Sequence, residues 1–134
     1  MLDLGKQATS QLRYKSLMSI DELQGKLRDF TSQRDWERFH TPKNLVMALA
    51  GEAGELTAVF QWLSPEESAD AMADPSRAER VRDEIADVLA YLLRLADVLG
   101  VDLEAALAAK MIKNARKYPI ETARGNARKY NDLP

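Results

Sequence analysis

Four carboxylates stand out by type and spacing. Glu52 and Glu55 lie three residues apart in GEAGEL, and Glu84 and Asp87 repeat that interval in DEIADVLAYL. Residues three and four apart share a helix face, so each pair can aim two carboxylates at one point. Glu52 falls inside the apolar stripe of Leu45, Leu49, Leu56, Val59, Phe60 and Leu63, and Glu55 lies on its margin. If the two helices pack as antiparallel neighbours, four acids converge. Four carboxylates in a partly desolvated site do not all stay ionised without a compensating cation. The chain has no cysteine and a single histidine, so an all-oxygen donor set favours Mg²⁺, with Mn²⁺ as the second choice, over zinc. Mg²⁺ binds through a few carboxylates plus substrate phosphates, which points to a nucleotide or another phosphorylated substrate. His40 is the sole histidine, so the two Glu-x-x-His pairs of the di-iron arrangement of helical bundles cannot both form, and this sets that arrangement aside. The alternative is that these acids are solvated and pair with bases one turn away. Neither Glu52 nor Glu55 has a base four residues away, and two acidic pairs flanking two apolar stripes weigh towards a metal.

The elements that must position these groups read as helices, so the expected fold class is all-α, a four-helix bundle-like domain. Ser19 with Glu22 forms the capping box of a first helix carrying Ile20, Leu23, Leu27 and Phe30. TSQRDWERFHTP then breaks the pattern. Thr41 as N-cap and Pro42 in the first turn start a second helix, which runs to about Leu63. Ser64, Pro65 and Glu67 start a short connecting helix, and Asp74 with Pro75 starts the third main one. That helix has Val81, Ile85, Val88, Leu89, Leu92, Leu95, Ala96 and Leu99 in one stripe, the face expected to meet the core. Tyr91 follows Asp87 by one turn on its edge, while Arg82, Asp83, Arg94 and Asp97 lie away from it and read as a solvated face. Asp102 caps a fourth helix, which Pro119 stops at about Tyr118. Lys110, Asn114 and Lys117 share the face of Leu103 and Leu107 there and can meet phosphate. Trp36, Phe39 and Trp62 can stack on a base, Trp62 on the same side as Glu55, and His40 can hydrogen-bond a base or phosphate. Gly51 and Gly54 point away from the apolar stripe, which would let another helix or subunit approach.

Composition limits the remaining choices. With 134 residues, 46% hydrophobic and 30% charged, the chain fits one soluble domain of ordinary size. The expected division is an N-terminal segment over residues 1–18 that can be flexible, a helical domain over 19–118 and a tail over 119–134. The start lacks the apolar core of a signal peptide, and no run nears the roughly 18 apolar residues of a membrane span. A cytoplasmic protein with no membrane partner is expected. A net charge of −2 gives no general reason to bind a nucleic acid polymer.

GEAGEL and DEIADVLAYL together resemble the Glu-x-x-Glu and Glu-x-x-Asp pair of the MazG-like all-α nucleotide pyrophosphohydrolases. RDWERFHTPKNL at 34–45, VFQWL at 59–63, KYP at 117–119 and RKY at 128–130 are most similar to the dCTP pyrophosphatase branch. The resemblance implies Mg²⁺-dependent cleavage of a nucleoside triphosphate, dCTP or a modified dCTP, to monophosphate and pyrophosphate, a house-cleaning of the nucleotide pool. It implies Glu52, Glu55, Glu84 and Asp87 as metal ligands. A carboxylate not fully engaged by metal can orient the attacking water, and Glu55 is the residue expected to do so. The resemblance also implies Trp36 to His40, Trp62 and Tyr91 around the nucleoside, Lys110 and Asn114 towards phosphate, and a homo-oligomer, dimer or tetramer. Two positions depart from the pattern. Gly51 stands where many members have a third glutamate, and Leu27 where the animal dCTP enzymes have a histidine. The competing readings are the same chemistry on dUTP or another dNTP, and a non-catalytic helical module whose stripes serve oligomerisation or a partner helix.

Overall fold

The computed structural model describes residues 18–133, and no strand occurs among them. The N-terminal segment expected over residues 1–18 thus lies outside the described residues apart from Met18. The all-α expectation holds. The chain divides after Leu99 into two compact units.

The first unit is built on three long helices. Helix α1, Ile20–Ser32, opens on the expected capping box: the Ser19 hydroxyl accepts from the Glu22 amide, and the Glu22 carboxylate accepts from the Ser19 amide. After α1 the chain turns through Asp35, which takes a left-handed φ of 53°, a conformation aspartate tolerates better than most residues. The turn leads into a 3-10 segment, Glu37–Phe39. Helix α2, Pro42–Phe60, starts where Thr41 Oγ1 accepts from the Asn44 amide, and the Asn44 side chain donates to the Phe39 carbonyl at 3.0 Å. The loop carrying Trp36 to His40 is thereby tied to the start of α2. Helix α3, Pro65–Ala69, has a second capping box from Ser64 and Glu67. A 3-10 turn at Ala71–Ala73 leads into α4, Pro75–Leu99, 25 residues long.

Helix α4 is the hub, packing along α2 and against α1. Among the described residues Leu45, Val59, Ala71, Ala78, Val81, Leu93 and Ala96 form the core, and Leu45 at 1% exposure is the one large side chain of these that is fully buried. The stripe expected to face this core is only partly inside it. Val81 and Ala96 are buried, whereas Ile85, Leu89 and Leu92 between them are exposed. The reason is that α2 and α1 take the flanks of α4. One flank brings Glu84 and Asp87 to Glu52 of α2. On the other, Gln24 of α1 donates to the Leu93 carbonyl and Arg28 pairs with Asp97. The middle of the stripe is left to solvent. The expected solvated face holds for Arg82 and Asp83, which are exposed, but not for Arg94, which is 7% exposed and belongs to the interior.

In the second unit Gly100, with φ +68°, ends the preceding helix in the left-handed conformation that glycine adopts without steric cost. Asp102 caps helix α5, Leu103–Lys117, through the Ala105 amide. Beyond Pro119 the segment expected as a tail contains α6, Ile120–Ala123, and a 3-10 turn at Tyr130–Asp132. Tyr118 meets Tyr130 edge-on at 6.1 Å, and Lys117 Nζ lies 4.9 Å from the Tyr130 ring centre.

Candidate functional site

Helical phase decides which acids meet. Glu52 faces α4 from the middle of α2, and Glu84 and Asp87 lie one turn apart on the flank that α2 covers. One oxygen of each comes within 4.8 Å of the others. Glu55, a turn after Glu52, is exposed and stands outside this group of three. The charges still interact: desolvation first, then repulsion from Asp87, Glu84 and Glu55, holds the Glu52 carboxyl above the ordinary range. Burial and like charge both penalise the ionised form, and a cation among these oxygens would offset the repulsion. The donor set of three hard oxygens fits a divalent cation of the Mg²⁺ or Mn²⁺ type.

Beside the acids lies a cavity of about 170 Å³ lined by Leu27, Phe30, Thr31, Trp36, His40, Asp87, Ala90, Tyr91 and Arg94. Asp87 belongs both to this lining and to the acidic group, so pocket and carboxylates are continuous. Its aromatic wall is held by the loop after α1. Trp36 meets Phe30 edge-on at 5.9 Å, and the Arg34 guanidinium lies 3.6 Å from the Phe30 ring centre on the chain that leads there. Backbone bonds from Arg34 and Trp36 to the carbonyl of buried Thr31 fix the turn.

His40 and Arg94 are the polar members of the wall. Burial, and secondarily the Arg94 charge, lowers the His40 pKa. His40 Nδ1 and Arg94 Nε are both buried without a hydrogen-bond partner among the described residues. Arg94 Nη1 donates to Asp97 at 2.9 Å, and Asp97 also accepts from Arg28 of α1. Its sequence signal was position: Arg94 follows Tyr91 by three residues on the same helical edge. That signal is masked because bases on helices are usually solvated.

Of the residues expected from sequence, Glu52, Glu84 and Asp87 come together, and Trp36, His40 and Tyr91 line the adjoining pocket. Trp62 does not line it. It lies in the turn after α2 and is 86% exposed. Lys110 and Asn114 are exposed on α5 of the second unit, and their link to phosphate comes from the resemblance alone. A Cβ added at Gly51 or Gly54 would meet nothing within 4 Å among the described residues.

A model of the MazG-like family matches residues 48–133. The chain is 40% identical over 127 residues to dCTP pyrophosphatase 1 of Bos taurus, covering 95% of this chain and 75% of that one. It is also 40% identical over 116 residues to dCTP pyrophosphatase 1 of Homo sapiens, covering 87% and 68%. The crystal structure of a pyrophosphatase from Archaeoglobus fulgidus superimposes with a TM-score of 0.71 at 42% identity, over 77% of this chain and 94% of that one.

Proposed function

The chain belongs to the MazG-like family, and we propose from that premise that it is a nucleoside triphosphate pyrophosphatase acting on dCTP or a modified dCTP. The observation that carries this reading is the continuity of the pocket with the acidic group through Asp87. A triphosphate needs cationic neutralisation at one end and an apolar, stackable wall at the other, and Asp87 stands where the two meet.

Glu52, Glu84 and Asp87, with Glu55 at the edge, would hold Mg²⁺. Bound there, it would neutralise the triphosphate and polarise the phosphate under attack. The side chains do the rest. Trp36 and Tyr91 hold the nucleoside and exclude water from it. Glu55, exposed and outside the converging group, orients a water towards the α-phosphorus and accepts its proton. The oxygen of that water bonds to the α-phosphorus, the bond from it to the α–β bridging oxygen breaks, and pyrophosphate leaves with the bridging oxygen. The products are dCMP and pyrophosphate.

A cytoplasmic homo-oligomer belongs to the same reading, since the exposed Ile85, Leu89 and Leu92 form a continuous apolar face on α4 that a second copy would cover. No helix among the described residues is long and apolar enough to cross a membrane. The test is a panel of dNTPs assayed for pyrophosphate and for orthophosphate, with Mg²⁺ and with chelator. Metal-dependent pyrophosphate release from dCTP is expected. Orthophosphate as first product would overturn the proposed cleavage.

A further inference from the structure

The pocket contains an ionised side chain that the reaction described above does not use. Arg94 is buried yet charged, and it is held from one side only. Asp97 accepts from Nη1, and Arg28 of α1 fixes Asp97 in turn. The Nε–H of Arg94 is buried with no partner among the described residues. An unpaired donor on a buried cation is costly, so a side chain clamped in this position calls for an acceptor supplied from outside the chain. The guanidinium is planar, and its Nε–H runs parallel to one hydrogen of Nη2. With Nη1 engaged by Asp97, that parallel pair is the fork left to a side chain that lines the pocket.

Position along α4 says what the fork meets. Asp87, Tyr91 and Arg94 succeed one another on one edge, and Arg94 lies two turns, about 10 Å of helix rise, beyond Asp87. A nucleotide with its phosphates at the acidic group and its sugar beside Tyr91 brings its base towards Arg94. Leu27, Phe30 and Ala90 line the same cavity and bring no polar side-chain atom. The other buried side-chain polar atom without a partner among the described residues is His40 Nδ1.

We propose that Arg94 is a specificity-determining residue whose guanidinium fork donates to two adjacent acceptors on the base, selecting cytosine among the pyrimidines. Cytosine presents N3 and O2 side by side as acceptors. Uracil and thymine place an N3–H donor between their two carbonyls, so the same fork would face a like donor. Bidentate donation from arginine to neighbouring acceptors is the geometry by which proteins read guanine O6 and N7, and a cavity of about 170 Å³ suits a single ring. His40, whose pKa is lowered by burial and by the Arg94 charge, lines the same pocket with an unpartnered Nδ1 that would accept from the exocyclic amine. The inference rests on the pyrophosphatase reading and specifies its substrate.

Two measurements separate the inference from that reading. The first is equilibrium binding of dCMP and dUMP by calorimetry, which needs no catalysis, to the wild type, Arg94→Gln and Arg94→Lys. The second is kcat/KM for dCTP and dUTP from pyrophosphate release. The wild type is expected to prefer the cytosine nucleotide in both. Arg94→Gln, which loses the fork, is expected to reduce that preference about tenfold or more, chiefly by weakening the cytosine nucleotide. Arg94→Lys keeps a charge beside Asp97 and therefore the fold, but it has no fork and should lose the preference as well. Preference unchanged in either variant, or dCMP and dUMP weakened equally, would overturn the role of Arg94 while leaving the pyrophosphatase intact. Preference lost on substitution, with no pyrophosphate released by the wild type, would uphold Arg94 and overturn the reaction.

Discussion

Glu52 is where the electrostatics of the site can be read without assaying activity. Its carboxyl is held above the ordinary range by burial and by Asp87, Glu84 and Glu55. A group with a raised folded pKa contributes stability below its unfolded pKa and loses it as pH rises through the folded one, so ionised Glu52 costs stability at neutral pH. Glu52→Gln is expected to raise the melting temperature in chelator near pH 8, to change it little near pH 4, and to abolish pyrophosphate release. Added Mg²⁺ should raise the wild-type melting temperature by mass action and that of the variant much less, which thermal melts in both buffers would read. His40 behaves oppositely. Its pKa is lowered from 6.5 by burial and by Arg94, so below that pH the unfolded chain takes up the proton first and stability falls. His40→Gln is expected to flatten the loss of stability between about pH 6.5 and pH 5, measured as urea midpoints. The acids were legible in the sequence because their spacing alone places them on helix faces. Arg94 was not, because its burial depends on Asp97 and on Arg28, which is separated from Asp97 by 69 residues.

The helix starts were legible for the same local reason. Ser19, Thr41, Ser64 and Asp102 each accept from a backbone amide three residues on, a contact set entirely by neighbours in sequence. Thr41→Ala is expected to cost about 1 kcal/mol in urea unfolding, and it loosens the end of α2 that ties down the Phe39 carbonyl through Asn44. What sequence could not decide was the arc of α4 that meets its neighbours. Periodicity marks the apolar stripe but not which helix covers it, and here α2 and α1 take the flanks. The link between α1 and α4 gives a second test of this geometry. Asp97→Ala leaves Arg94 buried and unpaired, and should cost about 3 kcal/mol. Arg28→Ala removes a half-exposed partner and should cost less than about 1 kcal/mol. Equal small losses for the two variants in urea titrations would show that Asp97 does not hold a buried charge.

For the whole molecule, the core is thin relative to the apolar surface. Among the described residues Leu45 is its only large side chain that is fully buried, while Ile85, Leu89 and Leu92 are exposed on α4, and Leu107, Met111 and Ile112 are exposed on α5. Scattered exposed apolar residues need no explanation, but a continuous stripe on one helix is the signature of an interface. Leu89→Glu is therefore expected to lower the sedimenting mass and to reduce activity. In a monomer, a substitution at a site 45% exposed would change stability by no more than about 0.5 kcal/mol and leave the mass alone. Gly54 gives an independent test because the two cases predict opposite signs. A Cβ there meets nothing within 4 Å in the single chain, so in a monomer Gly54→Leu would only improve helix propensity and raise stability by about 0.5–1 kcal/mol. If α2 meets a second copy along this face, the added side chain must displace that copy. Both the melting temperature and the sedimenting mass should then fall together. A rise in melting temperature at unchanged mass would free the Gly54 face and leave Leu89 as the sole test of an interface.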